Sequence, residues 1–156
     1  MNTYGNIVYT EALNNGIPPL LASFIAAQAA HETGNFTSAI FTDCNNAFGY
    51  KAVRSSCSLH SSYQNYPSIQ ASTDEICQWI YRRLNEGNFP PLANITNPTQ
   101  YAQLLSDNDY YEDSVSNYAA GIIAYLDNNI GTAGGIGFFL LAGLALFFLY
   151  KNKKAG

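Results

Sequence analysis

The spacing of apolar residues at the start of the chain predicts two consecutive helices. Apolar positions recur at helical spacing between residues 7 and 13, and the Asn-Asn-Gly run at 14–16 ends this first segment. Pro18 and Pro19 then open a second helix, because proline is well tolerated in a helix's first turn. Residues 20–30 are apolar or small on every face. We therefore expect the second helix to be buried at the centre of the domain.

Further along the chain, the pattern predicts three more helices and one irregular region. Ser72–Glu75 precedes apolar residues at helical spacing over 76–84, which predicts a capped amphipathic helix. Further helices are predicted over 98–105 and 112–127. The stretch 50–66 is rich in serine and aromatic residues, which favours a small hairpin or an irregular flap. The fold class predicted is mainly α, with at most a minor β element.

The C-terminal segment has a different character. Residues 130–150 carry no charge, and as a helix they would span roughly 30 Å, close to the thickness of a bilayer's hydrocarbon core. Three of the last six residues are lysines. This pattern predicts one C-terminal transmembrane helix, with residues 1–128 as the folded domain and 129–156 as an anchor with a basic tail. The lysines predict a tail on the cytoplasmic side and a domain outside.

The charge balance narrows the class of ligand. Charged residues make up 12 % of the chain, about half the usual share. Residues 1–130 hold four basic and eleven acidic side chains, so this part is acidic. Nucleic acid is excluded as a partner, because phosphate binding requires clustered lysine and arginine. The abundant amide and tyrosine side chains suit a neutral polar ligand such as a sugar.

The cysteines and histidines do not predict a metal site. Cys44, Cys57 and Cys77 form no CxxC pair, and His31 and His60 are the only histidines. We expect no metal and no cofactor. Cys44 and Cys57 flank one loop and form a disulfide in an oxidising compartment, or all three cysteines are free thiols; the sequence leaves both open.

Glu32 is the candidate catalytic group that the pattern itself indicates. It lies where the apolar second helix ends, and it is the only carboxylate between Glu11 and Asp43. Apolar surroundings disfavour the ionised carboxylate, so such a group keeps its proton near neutral pH and can donate it. Cleavage of a glycosidic bond requires a proton donor of this kind.

Four blocks of residues in a defined order resemble one enzyme family. They are Gln28-Ala-Ala-His-Glu-Thr-Gly with Ser38, Asn45-Asn-Ala-Phe-Gly-Tyr-Lys51, Tyr66-Pro-Ser with Ser72, and Tyr110-Tyr-Glu-Asp with Tyr118-Ala. Their order is similar to that of glycoside hydrolase family 73, the lysozyme-like N-acetylglucosaminidases of autolysins and of the flagellar muramidase. The resemblance covers about residues 20–126 and implies a lysozyme-like helical domain that cleaves peptidoglycan glycan strands.

The resemblance also implies roles for individual residues. Glu32 matches the catalytic acid, and Tyr110 matches a tyrosine that faces the sugar cleft. Glu75 aligns with an acidic position and is a candidate second carboxylate, but we favour an ordinary N-cap and first-turn role for both Asp74 and Glu75. The matched positions expected to bind substrate are Asn45, Asn46, Phe48, Gly49 and Tyr118.

Two departures from the family pattern bear on the mechanism. Asn35-Phe36 replaces the family's Trp-Gly, so we expect one wall of the cleft to differ. Residues 50–73 contain no Asp or Glu, where many members place a second carboxylate. The substrate's N-acetyl group could then act as nucleophile with help from Tyr110, or the muramic acid 6-hydroxyl could attack as in lytic transglycosylases. A catalytically inactive binding or structural module is the remaining alternative.

The expected setting follows from the anchor. Residues 1–15 lack the basic start and apolar core of a signal peptide. A wall hydrolase with a C-terminal anchor suits the membrane of a bacteriophage virion, where it would open peptidoglycan during entry. A bacterial cell membrane is the alternative location. The expected partners are peptidoglycan strands, the lipid membrane and other virion membrane or capsid proteins.

Overall fold

The computed structural model of the protein describes residues 2–130, which form a mainly helical domain. Within these residues there is no β-strand, and two isolated antiparallel bridges join Lys51 to Tyr63 and Ser56 to Gln64. The mainly α prediction is confirmed, and the architecture fits a lysozyme-like domain. The helices are α1 (Thr3–Asn14), α2 (Pro19–Glu32), α3 (Ala39–Cys44), α4 (Ile69–Asn85), α5 (Pro98–Ser106) and α6 (Val115–Ile130), with a 3₁₀ turn at Leu92–Asn94.

The second helix is the centre of the domain, as its composition predicts. Every residue from Leu21 to Ala30 is buried. Helices α1 and α6 pack against α2, while α4 packs on α1 and α5 packs on α6. Because α2 is enclosed in this way, its last residue, Glu32, is held at a fixed point where the core ends.

A left-handed turn follows Glu32 and determines where the chain goes next. Residues 34–36 all have positive φ, between 56° and 65°, and the Thr33 hydroxyl accepts a hydrogen bond from the Phe36 amide at 2.8 Å. Asparagine tolerates this backbone region, but a phenylalanine there needs support from its surroundings. Phe36 is buried and packs edge-on against Phe41, with ring centroids 5.3 Å apart. The side chain that replaces the family's glycine therefore lies in the core, and the expected altered cleft wall does not come from Phe36.

Several predicted boundaries were wrong. The fourth helix begins at Ile69, with the Ser68 hydroxyl capping the Ala71 amide at 3.2 Å, so Ser72–Glu75 lies inside the helix instead of starting it. Helix α6 (Val115–Ile130) begins three residues later than predicted. Helix α3 was missed, since six residues are too few to show a period.

The irregular region, here called the flap (residues 50–66), is attached to Cys44 through its middle and through its C-terminal end. Cys44 and Cys57 form a disulfide with Cα atoms 5.6 Å apart, which decides between the two alternatives left by the sequence, while Cys77 is a buried free thiol. The Tyr66 amide donates to the Cys44 carbonyl at 2.9 Å. The flap is thereby tied to the end of α3 and to the loop that follows it.

We expect Gly121→Ala to destabilise the protein, although glycine to alanine in a helix ordinarily gains about 1 kcal/mol. A Cβ at position 121 would lie 2.3 Å from Cε1 of His31, where α6 crosses α2. Overpacking of this kind costs about 1–3 kcal/mol. Urea unfolding of Gly121→Ala, alone and combined with His31→Ala, measures the effect. An alanine at 121 that stabilises the protein with His31 intact would contradict the close packing.

The predicted transmembrane anchor, residues 130–150, lies outside the described residues except for Ile130. Among the helices in the described part of the chain, none is long and apolar enough to cross a membrane.

Candidate active site

The Glu32 carboxyl is half-buried at the end of α2 and is held by one strong hydrogen bond. The Tyr118 hydroxyl donates to its Oε1 at 2.5 Å. Burial raises the pKa of Glu32 above its ordinary value of 4.5, and the Tyr118 hydrogen bond and the charge of His31 offset part of that rise. Glu32 therefore keeps its proton to a higher pH than an exposed glutamate, as general acid catalysis requires.

Tyr118 is fixed in place by aromatic neighbours. It is buried on α6, and its ring stacks on Tyr111 at 3.8 Å between centroids with the planes almost parallel. The His31 ring meets it edge-on at 5.2 Å. Sequence reasoning placed Tyr118 among the substrate-binding residues and missed its contact with Glu32. The two lie 86 positions apart, so no local signal pairs them.

The loop 45–49 comes close to the second carboxyl oxygen of Glu32. Gly49 has φ +67°, and a Cβ at this position would lie 3.9 Å from Glu32 Oε2. Glycine adopts this left-handed backbone without strain. Because it has no side chain, the space beside Oε2 of Glu32 stays open. Asn45, also left-handed with φ +51°, ends α3, and its amide donates to the Tyr66 carbonyl at 3.1 Å.

The side chains of Asn46 and Phe48 point into the protein. Asn46 Nδ2 donates to the carbonyls of Tyr50 and Gln64 at 2.8 and 3.0 Å, and its Oδ1 accepts from the Tyr50 amide at 3.1 Å. Phe48 is part of the core. These residues shape the loop beside Glu32, and direct sugar contact by Asn45, Asn46, Phe48 or Gly49 stays a prediction.

Tyr110 lies next to the same loop without touching the Glu32 carboxyl through its hydroxyl. Its hydroxyl donates to the Phe48 carbonyl at 3.0 Å. Its ring lies 5.4 Å from the Trp79 ring and 6.2 Å from the Tyr50 ring, both edge-on. The hydroxyl therefore supports the loop, and the catalytic role suggested by the resemblance stays a prediction.

Glu75 forms an ion pair with Arg54 of the flap. Both of its carboxylate oxygens accept from one Arg54 guanidinium nitrogen at 3.0 Å. Its charge raises the pKa of Tyr50 and Tyr66, although burial contributes more to both shifts. Asp74 accepts from the Asn15 amide at 2.7 Å. Both acids therefore lie inside α4, where Glu75 binds the flap and Asp74 binds the C-terminal end of α1. The expected first-turn role was wrong.

We expect Glu75→Gln to have little effect on activity or stability. The Arg54 side chain is 72 % exposed, and an ion pair with so exposed a partner contributes about 1 kcal/mol or less. Chemical unfolding and glycan-release assays of Glu75→Gln beside Asp74→Asn give the comparison. A loss of turnover as large as that of a Glu32 variant, with unchanged unfolding, would instead make Glu75 a catalytic carboxylate.

One comparison with known proteins gives a match, and it spans almost the whole described domain. The family model described as Glucosaminidase: Mannosyl-glycoprotein endo-beta-N-acetylglucosaminidase matches residues 5–130. Neither the curated proteins nor the solved structures contain a match to the chain. Within residues 2–130, no group of three or more His, Cys, Asp or Glu side chains could hold a metal ion.

Proposed function

Because the chain belongs to the glucosaminidase family, it is a glycoside hydrolase that acts on peptidoglycan, and we propose that it is an N-acetylglucosaminidase whose catalytic acid is Glu32. The observation that carries the proposal is that the Glu32 carboxyl is partly buried, hydrogen-bonded through one oxygen and shifted to a higher pKa. Glu32 lies within the matched region, and burial raises its pKa. Its Oε1 accepts a hydrogen bond from Tyr118. Its Oε2 lies beside Gly49, which has no side chain to cover it.

Glu32 would protonate the oxygen of the scissile bond. As the bond between C1 of N-acetylglucosamine and that oxygen breaks, its electron pair stays on the leaving oxygen, which takes the proton from Glu32. The resulting carboxylate then serves as a base for the next step.

The nucleophile we propose is the substrate's own N-acetyl carbonyl oxygen. No Asp or Glu occurs in residues 50–73, and Glu75 is paired with Arg54. Attack of the N-acetyl oxygen on C1 gives a cyclic oxazolinium ion, which water then opens at C1 as it gives a proton to the Glu32 carboxylate. Substrate assistance of this kind removes the need for a second carboxylate.

Mass spectrometry of the fragments released from purified peptidoglycan by the full chain tests this function. N-acetylglucosaminidase activity predicts fragments with N-acetylglucosamine at the reducing end. Anhydromuramic ends, each lighter by one water, would instead assign a lytic transglycosylase, and reducing muramic ends would assign the lysozyme-type bond. Binding without release by a folded protein would favour the inactive module.

We also propose a location, in which residues 129–156 anchor the enzyme in a membrane, with a bacteriophage virion membrane as the setting. The support is the uncharged run 130–150 and the lysines that follow it. The Cys44–Cys57 disulfide fits a domain exposed to an oxidising compartment. Detergent extraction of purified virions and of host membranes, followed by immunodetection, distinguishes the virion from the cell as the location.

A further inference from the structure

The connection between α5 and α6 carries a tyrosine, Tyr111, that the catalytic proposal does not use. Asp109 adopts left-handed backbone here with φ +56°, a region that aspartate tolerates. The Ser114 hydroxyl then accepts from the Asn117 amide at 3.3 Å, as serine commonly does at the start of a helix. These two local features turn the chain back, so that Tyr111 lies against Tyr118 in the first turn of α6.

Tyr111 is held through both its ring and its hydroxyl. The ring lies on the Tyr118 ring with 3.8 Å between the centroids and 6° between the planes. The hydroxyl donates to the Ala102 carbonyl of α5 at 2.8 Å, and the residue is half-buried. The Tyr111 ring is therefore fixed relative to α5, and the Tyr118 ring lies flat against it.

The orientation of the Tyr118 ring determines where its hydroxyl lies. The hydroxyl oxygen is in the plane of the ring and at its far end, so a small tilt of the ring displaces this oxygen most. Tyr118 donates to Oε1 of Glu32 at 2.5 Å, and a hydrogen bond this short weakens when its atoms are displaced. His31 meets the ring edge-on at 5.2 Å, while Tyr111 covers a ring face. The stacked contact is therefore the one that opposes a tilt.

We propose that Tyr111 is a positioning residue, whose ring stacks on Tyr118 and so keeps the Tyr118 hydroxyl on Oε1 of Glu32. This hydrogen bond in turn holds the carboxyl with Oε2 beside Gly49, where no side chain covers it. The assignment rests on the proposed role of Glu32 as catalytic acid. Tyr111 touches no reacting atom in this scheme. Its effect therefore requires its ring and the Tyr118 hydroxyl, and does not require its own hydroxyl.

Two substitutions at Tyr111 separate its ring from its hydroxyl. Tyr111→Leu removes the ring, whereas Tyr111→Phe keeps the stacked ring and removes only the hydroxyl. Both are made in the full chain, alone and together with Tyr118→Phe, because residues that act through one another are non-additive in such a cycle. The measurements are kcat and KM on soluble glycan against pH, and the titration midpoint of the Glu32 carboxyl by ¹³C NMR. Tyr81→Leu and Tyr81→Phe are the matched controls, since Tyr81 is also half-buried and its hydroxyl donates to the Asn15 carbonyl at 3.0 Å.

Tyr111→Leu should lower kcat about tenfold with little change in KM, because a displaced acid affects the chemical step and not binding. The Glu32 midpoint should move to higher pH, since the Tyr118 hydrogen bond lowers the pKa of Glu32 and this bond is weakened. Tyr111→Phe should keep kcat and the midpoint near their native values. In the Tyr118→Phe background, where no hydroxyl remains to be positioned, Tyr111→Leu should add no further change. The Tyr81 variants should shift neither quantity.

Three results would overturn the proposal. A Glu32 midpoint that falls in Tyr111→Leu, or that shifts equally with and without the Tyr118 hydroxyl, would mean that the ring only keeps water from the carboxyl. Equal losses of kcat in Tyr111→Leu and Tyr111→Phe would assign the effect to the Tyr111 hydroxyl. A Tyr111→Leu protein that melts lower, with native kcat per folded molecule and a native midpoint, would make the stacking purely structural.

Two provisions keep the test decisive. If Tyr111→Leu does not fold, Tyr111→Met replaces it, since an unbranched, flexible side chain fills an irregular space better. The NMR titration does not require activity. Full activity of Glu32→Gln would therefore refute the catalytic assignment alone, while the cycle still decides whether Tyr111 acts on Glu32 through Tyr118.

Discussion

Replacing Glu32 with glutamine should lower kcat/KM about 10²–10⁴-fold, the range that a positioned general acid contributes. The amide has the shape of the carboxyl and can still accept from Tyr118, which donates at 2.5 Å in the native protein. It has no proton of suitable acidity to give to a leaving oxygen. The assay is release of reducing ends from purified peptidoglycan, with Glu112→Gln, an exposed acid in the same family match, as the control. Near-native activity of Glu32→Gln would refute its role as the acid.

The same substitution should make the protein more stable at neutral pH. Burial raises the pKa of Glu32 above 4.5, so the folded state binds more protons than the unfolded state as pH rises from 4.5 through the folded pKa. Stability therefore falls across that window, and the loss is complete above it. The glutamine variant lacks this loss, since its side chain does not ionise.

Melting temperatures of both proteins across pH measure this effect. The two curves should coincide more closely below pH 4.5 and separate above it, with the Glu32→Gln protein higher. A variant that melts lower than the native protein at neutral pH would mean that the charged form is the one stabilised by folding. A variant that loses activity and gains stability is expected when the fold holds a catalytic carboxyl where burial disfavours its charged form.

The sequence predicts the parts of this site that depend on local pattern. Residues 20–30 are apolar on every side, which suffices to predict a buried helix ending near Glu32, and the helix does end there. Gly34, with φ +56°, follows directly and adopts the left-handed backbone that commonly ends a helix. Boundaries set by competing caps were harder to predict. Ser68 and Ser72 are both plausible N-caps, and in the structure the Ser68 hydroxyl accepts from the Ala71 amide and caps α4.

The contacts that give the site its chemistry are not local and could not be predicted in this way. Tyr118 meets Glu32 across 86 positions, and Tyr101 meets Gln28 across 73. Each pair depends on how α5 and α6 pack relative to α2. A single sequence carries no periodic signal for such packing. The family resemblance identified Tyr110 and Tyr118 but not Tyr101. It assigned the catalytic role to Tyr110, whose hydroxyl donates to the Phe48 carbonyl.

Removing the disulfide with Cys44→Ser and Cys57→Ser together should cost about 3 kcal/mol of stability, by the loop-closure entropy of a loop of this size. The two cysteines are 13 positions apart. A loss of this size lowers the melting temperature of a domain of this length by roughly 10 °C. Activity should fall as well, because Cys44 is joined directly to the 45–49 loop that approaches Glu32.

Reduction of the native protein provides the decisive comparison, because it breaks the same bond without changing a residue. Dithiothreitol should lower the native melting temperature to that of the double serine variant and leave that variant unchanged. Cys77→Ala is the matched control: Cys77 is buried and unpaired, and burial raises its pKa to about 12, so it remains a thiol and takes no part. The Cys77→Ala protein should therefore respond to dithiothreitol as the native protein does. If it lost that response, the sensitive sulfur would be Cys77, and the flap would owe its position to its hydrogen bonds alone.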